Sequence, residues 1–163
     1  MSNTLIIIPS RMSAKRLPGK PLLKIKGKTL ISLVLKKAED CKVGKVIVAT
    51  EDKKIEKEVK SNGGIALLTS KKHKSGTDRI WEAFQKLKDN KIKYIINLQG
   101  DEPLIDVKDV RNLNKIVKKN KFQIATLAIK IKDRKILNNK NIVKVATKKK
   151  IKLFASPESD KFL

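Results

Sequence analysis

Thr4-Leu5-Ile6-Ile7-Ile8-Pro9, followed without a break by Ser10-Arg11-Met12-Ser13-Ala14-Lys15-Arg16-Leu17-Pro18-Gly19-Lys20-Pro21, decides the fold class. The first half is a short apolar run that reads as a strand. The second opens a long basic loop, Ser10 to Lys28, whose Pro18, Gly19, Pro21 and Gly27 make it too rich in breakers to be helix. Outward from this pair, short apolar runs alternate with helix-period stretches, as in βαβ units with covering helices. A helix is predicted over Leu30 to Asp40, with Leu30, Val34 and Ala38 on one face, widened by Leu33 and Leu35. Lys45 to Thr50 reads as the second strand. Asp52 caps a short helix in which Ile55 and Val59 face inward and which Gly63-Gly64 ends. Ile65 to Thr69 is a third strand, and Thr77 is expected to cap a helix carrying Ile80, Phe84 and Leu87. Tyr94 to Leu98 is a fourth strand whose continuous apolar character suits burial on both faces. A helix from Val107 to Lys118, a fifth strand from Ile124 to Ile131 and a hairpin of Val143 to Ala146 with Ile151 to Phe154 complete the reading. The expected fold is α/β, a mostly parallel sheet with helices on both faces.

The chain has 163 residues, 40% of them hydrophobic, the size of one domain with a real core. The apolar run at Leu5–Ile8 falls far short of the roughly 20 residues of a membrane span. The start of the chain carries no basic region before that run, so a cytoplasmic location without a membrane partner is expected. Cys41 is the only cysteine, which excludes an internal disulfide and a multi-cysteine zinc site and leaves packing beside a helix end. The formal net charge of +24 suggests a polyanion partner. Of the 40 basic residues, however, only five are arginine, and the lysines are spread over every segment rather than gathered in a stripe. With 4% aromatic residues the stacking platforms of single-strand binders are largely absent, so no specific nucleic-acid partner is expected.

Ligands of open α/β sheets bind outside the carboxyl ends of strands, so three loops are expected to converge there. In Ser10 to Pro21, two arginines and two lysines held by two prolines and a glycine suit a polyphosphate, where Arg forks and Lys acts as a point charge. A solvated basic loop is the plainer alternative. It is neither a Walker loop nor a dinucleotide fingerprint, because the glycine spacings are absent. In His73-Lys74-Ser75-Gly76-Thr77-Asp78-Arg79, small hydroxyls around a glycine at a helix start let backbone N–H groups approach a phosphate or a base edge, or serve only as caps. His73 reads as structural. Gln99-Gly100-Asp101-Glu102-Pro103 sets a carboxylate directly after a strand, placed either for a divalent cation bridging phosphate oxygens or as an ordinary turn.

Ile6 to Arg11, Arg16 to Leu22, His73 to Arg79 and Asn97 to Pro103, in this order, resemble the successive signatures of the 3-deoxy-manno-octulosonate cytidylyltransferases. The resemblance extends through Ala125 to Ala128 and Asn141 to Val145. It implies a Rossmann-like nucleotide-diphospho-sugar transferase fold across a single domain, 1–163, incomplete at the C-terminus. The activity it implies is transfer from CTP to 3-deoxy-manno-octulosonate, giving the CMP-sugar and pyrophosphate for lipopolysaccharide biosynthesis. Arg11, Lys20 and Asp101 would be catalytic. Pro9, Ser10, Arg11, Arg16, Lys20, Ser75, Gly76, Thr77 and Gln99 would bind the nucleotide, with Asp101 holding Mg²⁺. Family members form homodimers. Residues 155–163 depart from the family pattern and read as an aberrant tail, which predicts that the dimer-forming part and a late metal carboxylate are absent. The alternatives are a CTP-binding remnant without turnover and a basic RNA-associated protein.

Overall fold

The apolar run that opens the chain becomes the central strand, β1 (Thr4–Ser10), and Leu5, Ile6, Ile7 and Ile8 are wholly buried. A strand covered on both faces is continuously apolar, because neither of its alternating side-chain sets reaches water. The computed structural model describes residues 2–13, 17–140 and 142–145. They fall into two units, Met1–Ile116 and Val117–Leu163.

In the first unit, β1 is followed by a 3₁₀ turn at Lys20–Leu22 and by a two-stranded ribbon, β2 (Lys24–Ile25) and β3 (Lys28–Thr29). Then come α1 (Leu30–Asp40), β4 (Lys45–Thr50), α2 (Lys53–Ser61), β5 (Ala66–Leu68), α3 (Gly76–Leu87), β6 (Tyr94–Asn97) and α4 (Val107–Asn120). The main sheet has the order β5-β4-β1-β6, and all its pairings are parallel. Two cores result from the alternation of side chains along β1. Ile6 and Ile8 pack with Ile31, Val34 and Leu35 of α1, Ile55 and Val59 of α2 and Val110 of α4. Leu5 and Ile7 pack with Ile47, Ala49, and Ile80 and Ala83 of α3. Helices therefore cover both faces, as the sequence predicts.

The Asp52 cap is present, its side chain accepting the Lys54 N–H at 2.7 Å. Cys41 closes α1 and is buried, with Arg111 donating to the carbonyls of Cys41 and Asp40 at 2.9 and 2.6 Å. That guanidinium satisfies the last carbonyls of the helix.

Four expectations need correction. The stretch Ser10 to Lys28 is not all loop, since Lys26 (φ 49°) and Gly27 (φ 82°) make the positive-φ turn that a two-residue hairpin requires. Thr77 does not cap α3. Ser75 does, its Oγ accepting the Asp78 N–H at 3.1 Å while donating to Asp78 Oδ2 at 2.7 Å. The β6 strand is not buried on both faces: among the described residues it lies at an edge of the sheet, and Ile95 is 38% exposed. Residues 124–131 form no strand among the described residues, and Ile124 is 91% exposed. An alternating or apolar pattern supplies the face of a strand but not its hydrogen-bonding neighbour, and none pairs with this segment there.

The second unit holds the end of α4 and a short helix, α5 (Arg134–Asn138), capped by Asp133. The hairpin expected at 143–154 lies for the most part outside the described residues, as does the tail at 155–163.

Candidate nucleotide site

Chain order β1, β4, β5 runs to one side of the sheet, and β6 then returns to pair on the other side of β1. The order therefore reverses between β1 and β6, where an open parallel sheet leaves a crevice at its carboxyl end. The loops flanking that crevice are the basic loop after β1 and the acidic loop after β6. They meet in an ion pair: Lys20 Nζ lies 2.6 Å from Asp101 Oδ2, with the two side chains 36% and 51% exposed. Gly19, in the left-handed region at φ 74°, caps the 3₁₀ turn that carries Lys20, and its N–H donates to Met12 O at 3.1 Å.

Close approach fixes the third loop against the strand. A Cβ at Gly100 would lie 2.9 Å from Pro9 O, so the backbone of this loop can approach the end of β1 only as glycine. A Cβ at Gly76 would lie 3.5 Å from the Pro9 ring. Pro9 is thus the point against which the second and third loops close, and the first loop begins beside it. Ser10 beside it is buried, and its Oγ has no hydrogen-bond partner among the described residues. Arg11 is exposed just beyond the strand. Gln99 is also exposed, its Nε2 donating to Asn97 Oδ1 at 2.9 Å. Gly76 and Thr77 are exposed at the start of α3, while Ser75 spends its hydroxyl on the cap. Arg16 lies outside the described residues.

Next to Asp101, partial burial raises the Glu102 carboxyl above its ordinary value, and the Asp101 charge adds to the effect. In the second loop, Glu82 of α3 is held down to about 2, first by Lys86, then by the Ser70 N–H, with His73 also on the carboxylate. His73 is therefore part of a brace, as expected of a lone loop histidine.

Two groups escaped the sequence reading. Glu51 follows β4 directly and lies 2.7 Å from Arg79 Nη2, both side chains nearly buried. Glu51 had a signal, since it stands after its strand as Asp101 stands after β6. Glu82 had only its i,i+4 spacing to Lys86, common in any lysine-rich helix.

A parallel sheet with a switch point and converging loops is an open α/β frame, and solved cytidylyltransferases share it as a Rossmann-like nucleotidyltransferase fold. A CMP:2-keto-3-deoxy-manno-octonic acid synthetase complexed with CTP superposes with a TM-score of 0.69 at 42% identity, over 74% of this chain and 49% of that one. A cytidylyltransferase from Leptospira borgpetersenii gives 0.64 at 29% identity, over 74% and 50%. The cytidylyltransferase family model matches residues 5–160. The 3-deoxy-manno-octulosonate cytidylyltransferase of Afipia carboxidovorans is 45% identical over 144 residues, 88% of this chain and 58% of that protein. That of Histophilus somni (strain 2336) is 42% identical over 147 residues, 90% and 57%. This chain belongs to the cytidylyltransferase family. It spans somewhat more than half the length of the curated relatives it matches.

Proposed function

We propose that the chain holds CTP for transfer of its CMP group to 3-deoxy-manno-octulosonate, a cytoplasmic step toward lipopolysaccharide. The observation that carries this is the meeting of Lys20 and Asp101 at the switch point, in a chain whose relatives bear that activity in their names. The anomeric hydroxyl oxygen of the sugar forms a bond to the α-phosphorus as the bond to the α–β bridging oxygen breaks; pyrophosphate leaves with that electron pair, and the hydroxyl proton passes to solvent. Such chemistry needs positioning and charge stabilisation more than a protein nucleophile.

Lys20 and Arg11, with Arg16 in a supporting role, are assigned to the triphosphate. Pro9, Ser10, Ser75, Gly76, Thr77 and Gln99 are assigned to the nucleotide. Small residues at the start of α3 leave its free backbone N–H groups accessible to a phosphate or a base edge. Asp101 is assigned to Mg²⁺. The donor set fits: Asp101 is a hard oxygen ligand with a second carboxyl, Glu102, adjacent. Mg²⁺ characteristically takes one or two carboxylates together with substrate phosphate oxygens. When bound, the ion supplies neutralisation of phosphate charge. Because Lys20 and Asp101 are paired, the incoming triphosphate takes over Lys20 and releases Asp101 as a ligand.

The family match runs across both units of the chain, which supports reading 1–163 as part of one nucleotidyltransferase domain. The test is pyrophosphate release from CTP, Mg²⁺ and 3-deoxy-manno-octulosonate, beside calorimetric titration with CTP and ATP. Sugar-dependent pyrophosphate release with preference for CTP is expected. CTP binding without release reduces the reading to a nucleotide holder, and equal affinity for ATP overturns the cytidine assignment.

A further inference from the structure

Arg79 is buried to 4% exposure in a chain that otherwise prefers lysine, and it stands four residues after the cap of α3. Its guanidinium joins three elements. Nη1 donates to Thr69 Oγ1 just beyond β5 and lies 3.5 Å from Ser70 O, while Nη2 lies 2.7 Å from Glu51 Oε2 just after β4, an ion pair by distance whose buried oxygen accepts no hydrogen bond among the described residues. The two strand ends are already joined by Thr69 N–H to Thr50 O at 2.8 Å. From the other side of the loop, Glu82 accepts the Ser70 N–H at 2.8 Å. The start of the 70–78 segment is thus held to the sheet, and the segment ends on α3 beside Pro9.

We propose that Arg79 and Glu51 are positioning residues for nucleotide binding: a buried clamp that sets the 70–78 loop, and with it the N–H groups of Gly76 and Thr77, against the carboxyl end of the sheet. The proposal rests on the reading that this loop touches the nucleotide. A lysine at 79 is a single point charge and cannot span Glu51, Thr69 and the Ser70 carbonyl as a planar fork does. A buried ion pair is also poor evidence of a role in stability alone, because apolar residues of similar volume often replace one without loss. Its geometry is what they do not replace.

The test uses the full chain with Arg79→Lys and with the double substitution Glu51→Leu/Arg79→Met. Read-outs are urea unfolding, amide hydrogen exchange over 70–78, and CTP affinity with Mg²⁺. In the double variant, global stability returns close to wild type, exchange over 70–78 rises roughly tenfold, and CTP binding stays weaker by roughly 10- to 100-fold, as misplacement by about 1 Å allows. Arg79→Lys weakens CTP binding in the same direction. Wild-type exchange over 70–78 or wild-type CTP affinity in both variants overturns the clamp. Faster exchange in the variants of a chain that binds no CTP at all would instead overturn the nucleotide reading and leave the loop-setting role standing.

Discussion

Two ion pairs border the site and are of opposite kinds. Lys20 and Asp101 meet at the mouth of the crevice with 36% and 51% of their side chains exposed, whereas Arg79 and Glu51 lie behind the loop at 5% and 10%. The exposed pair contributes little to folding, because water already solvates both charges and two long side chains must be ordered to form it. It is therefore free to change partners when a ligand brings its own charges. The buried pair cannot do so, since separating it strands a charge away from water. On the proposed function, one half of the site exchanges contacts and the other stays fixed.

That contrast is open to attack by substitution. Arg79→Ala leaves Glu51 unpaired and should cost about 3–5 kcal/mol in urea unfolding. A loss no greater than that of a surface substitution would erase the distinction between the two halves. The acid limb of the stability curve probes the second loop further. The Glu82 carboxyl falls from its ordinary 4.5 to about 2 in the folded chain. Its contribution is thus fully present above pH 4.5 and is lost as the pH falls toward 2, since the unfolded chain takes up the proton first. Glu82→Gln should flatten stability across that window, and an unchanged acid slope would count against the brace. Smallest of all, Lys20→Ala should change unfolding stability by no more than about 1 kcal/mol. A larger loss would place Lys20 among the fixed elements.

Much of this was legible in the chain because it is encoded locally. The Leu5–Ile8 run, the Lys45–Thr50 strand, the Asp52 cap and the helix faces at Val34 and Val59 follow from periodicity and capping chemistry that need no distant partner. Convergence of the three loops followed from where ligands bind on parallel sheets, and Pro9, Gly76 and Gly100 bear it out. Other features depended on choices the sequence does not make by itself. Ser75 and Thr77 both carry a capping hydroxyl, and only the path of the loop selects Ser75. The Tyr94–Leu98 run looks like a central strand, but strand order among the described residues leaves β6 at an edge. Residues 124–131 have the pattern of a strand, but among the described residues none pairs with them. Glu51 stood legibly after its strand, but its pairing with Arg79 is made by topology.

The most direct test of the exchangeable half is titration calorimetry of CTP into the wild-type chain, Lys20→Ala and Asp101→Asn, with Mg²⁺ present and with it chelated. Lys20→Ala should weaken binding under both conditions by roughly 10- to 100-fold, the worth of a charge-assisted hydrogen bond. Asp101→Asn should weaken binding only when Mg²⁺ is present, and in its absence should leave CTP affinity unchanged or tighter, because Lys20 is then no longer held by Asp101. If both substitutions leave CTP affinity at the wild-type value, the meeting of Lys20 and Asp101 is an ordinary surface pair, and the nucleotide site lies elsewhere.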